Sequence, residues 1–207
     1  MRLSPRSNVG LYDSRFERES CGIGFVAHVK KEPSHQNIKD ALTILCKMDH
    51  RGARGAEPNS GDGAGILTGM PHAFFAKISK ELYAVDLLPG SYSAGNIFLP
   101  NNEDEREACK TFLEEACSQN ELKIIGWRTL PIDIEKADIG PTALDAMPHI
   151  EQVLIVDNLT NCDQEDFEKR LYLTRKKASN HLRSHSDIKE SELFYICSLS
   201  SKTIVYK

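Results

Sequence analysis

A run of small and β-branched residues, CGIGFVAHV at 21–29, follows a polar leader of twenty residues that ends in RES. Ile23, Val26 and Val29 favour an extended backbone, and Gly22 and Gly24 leave room for a ligand to approach it closely. The run predicts a strand over 21–29 that opens, at its exposed edge, on Cys21. Two readings of that cysteine stand side by side. It is an ordinary buried thiol at the start of a strand, or it is a nucleophile released when the leader is removed. In the second case its own α-amine stands beside its own thiol. An α-amine of pKa near ~8 accepts a proton at neutral pH and a thiol of pKa near ~8.5 is already partly ionised, so one residue carries both nucleophile and base. Residues 1–20 are then a propeptide. They lack the apolar centre of a secretory signal, and Asp13, Glu17 and Glu19 disfavour an organelle transit role.

The bulk of the chain narrows the partners. Its 207 residues, 40% hydrophobic, are enough for one domain with a proper core or for a large part of a bigger one. A net charge of -4 with both signs interspersed provides neither a basic stripe for nucleic acid nor a polybasic patch for a membrane, which leaves a small molecule or a protein. No stretch approaches the roughly 20 apolar residues of a membrane span. The six cysteines, Cys21, Cys46, Cys109, Cys117, Cys162 and Cys197, have no metal-ligand spacing and no CxxC pair, which argues against a zinc site and a dense disulfide framework and suits a reducing cytoplasm.

After 21–29 the polar KKEPSHQ turns the chain, and Ile38, Ala41, Leu42, Leu45 and Met48 recur at helical spacing with Asn37 as the expected cap. Cys46 reads as packing within that helix. The helix leads into HRGARGA at 50–56 and then EPNSGDGAG at 57–65, a glycine-dense loop that no regular element requires. Beyond it the spacing predicts a short strand at ILTGMP, a helix over HAFFAKISKELYAV, a strand at SAGNIFLP, a helix over 102–118 with Cys109, Phe112, Leu113 and Ala116 on one face, and a strand at KIIGWRTLP. Trp127 is read as packing. The proline-rich 132–150 predicts a long surface connection, QVLIVD a strand, and 163–183 the longest helix, with Phe167, Leu171, Thr174, Ala178 and Leu182 inward. LFYICSLSS and TIVYK read as two strands of a meander. Together these predict a layered arrangement of helices and strands, the strands covered on both faces.

Three stretches in this order, the leader followed by CGIGF, the helix ending in MDHRGARGA, and GDGAGIL, resemble the amino-terminal glutaminase domain of glutamate synthase large subunits. That domain is a class II glutamine amidotransferase of the amino-terminal-nucleophile hydrolase superfamily. The resemblance covers essentially the whole chain and implies an α+β fold, a four-layer αββα sandwich of two antiparallel sheets between helical layers, incomplete here at the carboxyl end. It divides the chain into a propeptide, 1–20, and the amino-terminal part of the amidotransferase domain, 21–207.

The resemblance implies that Cys21 attacks the side-chain amide of L-glutamine, with its α-amine as base. Ammonia would then pass to synthase domains that aminate 2-oxoglutarate using FMN and an iron–sulfur cluster. No site for either cofactor is expected in this chain. Arg51 and Gly52 begin a loop expected to close over the glutamine site, with a helix-end cation as the alternative role of Arg51. Asp62 is expected to hold the glycine loop through backbone hydrogen bonds. His50 is expected to support the structure rather than serve as a base. The family's arginine-bearing strand and its later His-Asn-Gly-Glu motif, which supply oxyanion donors and substrate anchors, are not found, and their lack predicts a chain with little activity of its own. The alternatives are an inactive or partner-binding remnant, or the amidotransferase part of another biosynthetic enzyme. The electron donor of the parent enzyme is not readable from these residues.

Overall fold

The computed structural model describes residues 22–30, 32–52, 57, 59–159, 163–184 and 188–207. Two compact units divide the chain, Met1–Asp62 and Gly63–Lys207.

Among the described residues of the first unit the regular elements are α1 (His35–Lys47) and a 3-10 turn, Asp49–Arg51. Helix α1 starts earlier than its apolar spacing predicts. Ser34 caps it, its Oγ accepting from the Gln36 N–H at 3.1 Å, and Asn37 lies inside the helix. A hydroxyl immediately before the helix satisfies an amide that the first turn leaves orphaned. The half-buried stripe is Asn37, Ile38, Ala41, Ile44, Leu45 and Met48; Leu42, expected on it, is exposed, as is Cys46. The strand expected over 21–29 is not formed by its described part. Residues 22–28 have no regular secondary structure and 29–30 turn. β-Branched residues become a strand through pairing, and this segment pairs with no strand among the described residues.

The second unit contains β1 (Ile66–Gly69), α2 (His72–Tyr83), β2 (Tyr92–Leu99), α3 (Glu103–Ser118), β3 (Leu122–Thr129), α4 (Ile134–Ala137), α5 (Pro141–Asp145), β4 (His149–Asp157), α6 (Gln164–Ser184), β5 (Tyr195–Ile196) and β6 (Thr203–Tyr206). One sheet has four strands in the order β3-β4-β2-β5; the other pairs β1 with β6. Every pairing of these strands is antiparallel, so the fold is α+β with two antiparallel sheets and helices.

The larger sheet is buried on both faces. Ile97, Leu99, Val153 and Ile155 pack with Cys109, Leu113 and Cys117 of α3 and Phe167, Leu171, Ala178 and Leu182 of α6. Tyr92, Ala94 and Leu154, on the alternate positions of β2 and β4, join Phe75, Leu87 and Ile204 in a second core. The inward residues expected of the longest helix, Phe167, Leu171, Thr174, Ala178 and Leu182, are the ones that α6 buries. Trp127 packs against the first core, as its size suggests. The connection expected over 132–150 contains two short helices. Asp133 caps α4, its Oδ1 accepting from the Lys136 N–H at 3.1 Å, and Pro141 opens α5.

The last two strands do not form a meander. β5 pairs with β2, whereas β6 pairs with β1. The residues between them are held elsewhere: Ser200 bridges Ala94, and Glu168 Oε1 of α6 accepts from Ser201 N at 2.6 Å and Ser201 Oγ at 2.6 Å. A charged acceptor taking several donors is a strong local clamp. It anchors the chain between its two short pairings.

Candidate active site

The site residues expected from the sequence, Cys21, Arg51, Gly52 and Asp62, all belong to the first unit. Cys21 lies outside the described residues, as do 53–56 and 58; its neighbour Gly22 is described. A Cβ built on Gly22 would stand 2.8 Å from Met48 Sδ, 3.4 Å from Arg51 Cβ and 3.5 Å from Arg51 Cγ. A Cβ built on Gly24 would overlap the Cγ2 methyl of Ile44. The space these glycines leave is thus filled by α1 and the turn after it, where the sequence suggested a ligand. Neither glycine has a positive φ, so what each provides is room.

Helix α1 ends by a tight succession of turns. Met48 N–H donates to Ile44 and Leu45 carbonyls, each at 3.0 Å, Arg51 N–H to Met48 O at 2.7 Å, and Gly52 N–H to Asp49 O at 3.2 Å. His50 Nδ1 lies 3.0 Å from Lys47 O. A carbonyl only accepts, so a proton on Nδ1 would let the ring serve this helix-end carbonyl. Gly52 is extended, with φ -87° and ψ 149°. A Cβ on it would stand 3.6 Å from Asp49 O and 4.0 Å from the Asp62 Cβ. Ser60 is tied back to Glu57, its Oγ donating to Glu57 Oε2 at 2.8 Å and its N–H to Glu57 O at 3.1 Å.

The three sequence stretches are therefore neighbours. Gly22 of CGIGF lies against Arg51 of HRGARGA, and Gly52 of the same stretch against Asp62 of GDGAG. Ile44 and Met48 make the closest approach to the glycines; Met48 was read only as an apolar position, and Ile44 was not among the residues read. The signal was present in their spacing, because 44 and 48 lie one helical turn apart.

The other described cysteines divide by burial. Burial, with the nearby carboxylate of Glu105, pushes the Cys109 thiol up to about 11; burial, with that of Glu114, pushes Cys117 up to about 12. Burial also raises Cys197. A thiol held protonated is a poor nucleophile. Among the described residues no group of three His, Cys, Asp or Glu is placed to hold a metal ion, and no helix is long and apolar enough to cross a membrane.

The family described as "Glutamine amidotransferases class-II" matches residues 21–207. The chain is 39% identical over 198 residues to the glutamate synthase [NADPH] large chain of Bacillus subtilis, covering 96% of this chain and 12% of that protein. It is 39% identical over 202 residues to the glutamate synthase [NADH] of Schizosaccharomyces pombe, covering 95% and 9%. With the chloroplastic ferredoxin-dependent glutamate synthase of Oryza sativa the identity is 38% over 192 residues, covering 92% and 12%. The chain thus spans about a tenth of the length of these relatives.

Proposed function

The chain belongs to the class II glutamine amidotransferases, and from that premise we propose that it hydrolyses L-glutamine through Cys21, exposed as an amino-terminal residue by removal of residues 1–20. The observation that carries this reading is the proximity of CGIGF, HRGARGA and GDGAG, Gly22 near Arg51 and Gly52 near Asp62. The start of the family match at residue 21 also supports it.

On this reading the free α-amine of Cys21 takes the thiol proton, and the thiolate sulfur attacks the side-chain amide carbon of glutamine. The C–N bond breaks, the α-ammonium returns the proton to the departing nitrogen, and ammonia and a glutamyl thioester result. Water then attacks the thioester, giving glutamate and the free thiol. Arg51 and Gly52 gate access to the bound glutamine, and Asp62 holds the glycine loop. The fold reading that accompanies this chemistry is the four-layer αββα sandwich, of which the two antiparallel sheets are the centre.

The relatives named as glutamate synthases support a destination for the ammonia. We propose that it aminates 2-oxoglutarate in synthase domains outside residues 1–207, and that the chain works in the cytoplasm. Intact mass after treatment with a diazo-ketone analogue of glutamine tests the nucleophile. The expected result is a chain shortened by residues 1–20 with one adduct, mapped to Cys21. An adduct on another cysteine, or an unshortened and unlabelled chain, would overturn the assignment.

A further inference from the structure

We propose that Ile44 of α1 and Met48, the residue that caps its end, are positioning residues for Cys21, forming a two-point seat that favours glycine at positions 22 and 24 and thereby fixes the segment bonded to the nucleophile. The inference rests on the function proposed for Cys21, and it gives Ile44 and Met48 a role that the proposed chemistry does not assign them.

The argument is steric. Position 24 meets Ile44 in the last turn of α1, and position 22 meets Met48 and Arg51 in the cap and the 3-10 turn that follow it. Since neither glycine needs a left-handed backbone, the absence of a side chain serves contact distance alone. The two contacts differ in stiffness. Ile44 is β-branched and held to few rotamers, so a methyl at 24 has no cheap way out. Met48 is unbranched and its thioether can swing, so a methyl at 22 is accommodated at smaller cost. A seat of this kind acts directly on the residue bonded to Gly22. A nucleophile misplaced by about 1 Å loses rate on the order of a hundredfold.

The test is a double-mutant cycle on the full chain: unchanged protein, Gly24→Ala, Ile44→Ala and both together, with Gly22→Ala as a graded companion. The first readout is the rate at which iodoacetamide alkylates Cys21, followed by peptide mass across pH, with Cys46 as an internal reference on α1. The second is labelling of Cys21 by the diazo-ketone analogue. Gly24→Ala is expected to shift the Cys21 rate about tenfold relative to Cys46, within the coupling typical of residues in contact, and the double variant to recover most of it. Gly22→Ala should shift it less. A Cys21 rate and pH profile unmoved by Gly24→Ala, or unrecovered when Ile44 is also shortened, would overturn the seat. If the iodoacetamide cycle closes as expected while the unchanged chain never reacts with the glutamine analogue, the seat stands and the glutaminase reading falls.

Discussion

Gln152 donates from Nε2 to Asn96 Oδ1 at 2.8 Å in the middle of the larger sheet, with both side chains almost wholly buried. The pair belongs to a polar line that crosses the strands. Arg128 of β3 donates to Gln152 Oε1 at 2.8 Å, and Asn96 Nδ2 donates to the Val205 carbonyl of β6 at 2.8 Å. The line joins the four-stranded sheet to the two-stranded one by directional bonds, where apolar contacts alone would leave the registration of β6 loosely specified. Asn96→Leu should therefore cost about 1–3 kcal/mol, because it strands both the Gln152 amide and the Val205 carbonyl in the interior. Urea unfolding measures it. A variant as stable as the parent would show that the line contributes specificity without stability.

A second prediction concerns Tyr83 and Gly126. The Tyr83 ring occupies the place that a Cβ on Gly126 would need, and its hydroxyl donates to the Trp127 carbonyl at 2.8 Å. Gly126→Ala should overpack this contact between α2 and β3 and destabilise the chain by about 1–3 kcal/mol. Adding Tyr83→Ala should remove the clash, so the double variant is expected to be more stable than the sum of the single changes implies. Additive losses in chemical denaturation would contradict the geometry.

A third prediction is a loss of stability in alkali. Burial raises the thiols of Cys109 and Cys117 to about 11 and about 12 from 9.0, and the Tyr92 hydroxyl to about 12 from 10.0. In each case the folded state favours the neutral form. The resulting stability is fully present below the ordinary pKa values and is lost as pH climbs from about 9 towards about 12. Thermal midpoints followed from pH 8 upward should fall over that window, and Tyr92→Phe should shallow the fall. A flat profile would mean that these groups are not as sheltered as their surroundings make them.

The proposed chemistry makes a fourth prediction. Cys21→Ala should lower glutamine hydrolysis by about a thousandfold or more in any preparation that shows it, since no other group can form the thioester. Cys46→Ser, an exposed change on α1, should alter stability by no more than about 0.5 kcal/mol and leave hydrolysis in place. Release of ammonia measures both. Equal loss in the two variants would point away from Cys21 as the nucleophile.

Much of the architecture was legible from the chain alone, and the reason differs by element. Helix α6 could be read to its buried residues because Phe167, Leu171, Thr174, Ala178 and Leu182 repeat at a period that depends only on the helix itself. The helix expected over 102–118 is equally local, although Asn102 stands before it as its cap, accepting from the Glu105 N–H at 3.0 Å. CGIGF, HRGARGA and GDGAGIL were legible as a set because their order and separation are themselves sequence, and the family match over 21–207 agrees with them.

What the chain alone did not determine was where its segments find partners. Composition favours a strand at 22–28, yet β structure needs a second segment beside it, and no local pattern names that segment. The same limit misplaced the final strands: β5 and β6 are separated by a few residues and belong to different sheets, because Glu168, far back on α6, holds the chain between them. Nor could spacing say which atoms the glycines make room for. Periodicity is a property of neighbours along the chain, so the sequence by itself determined the longer helices, though not α4 and α5, and the motif order. The contacts of Gly22 with Met48 and of Gly24 with Ile44 are properties of neighbours in space, and only the tertiary structure decided them.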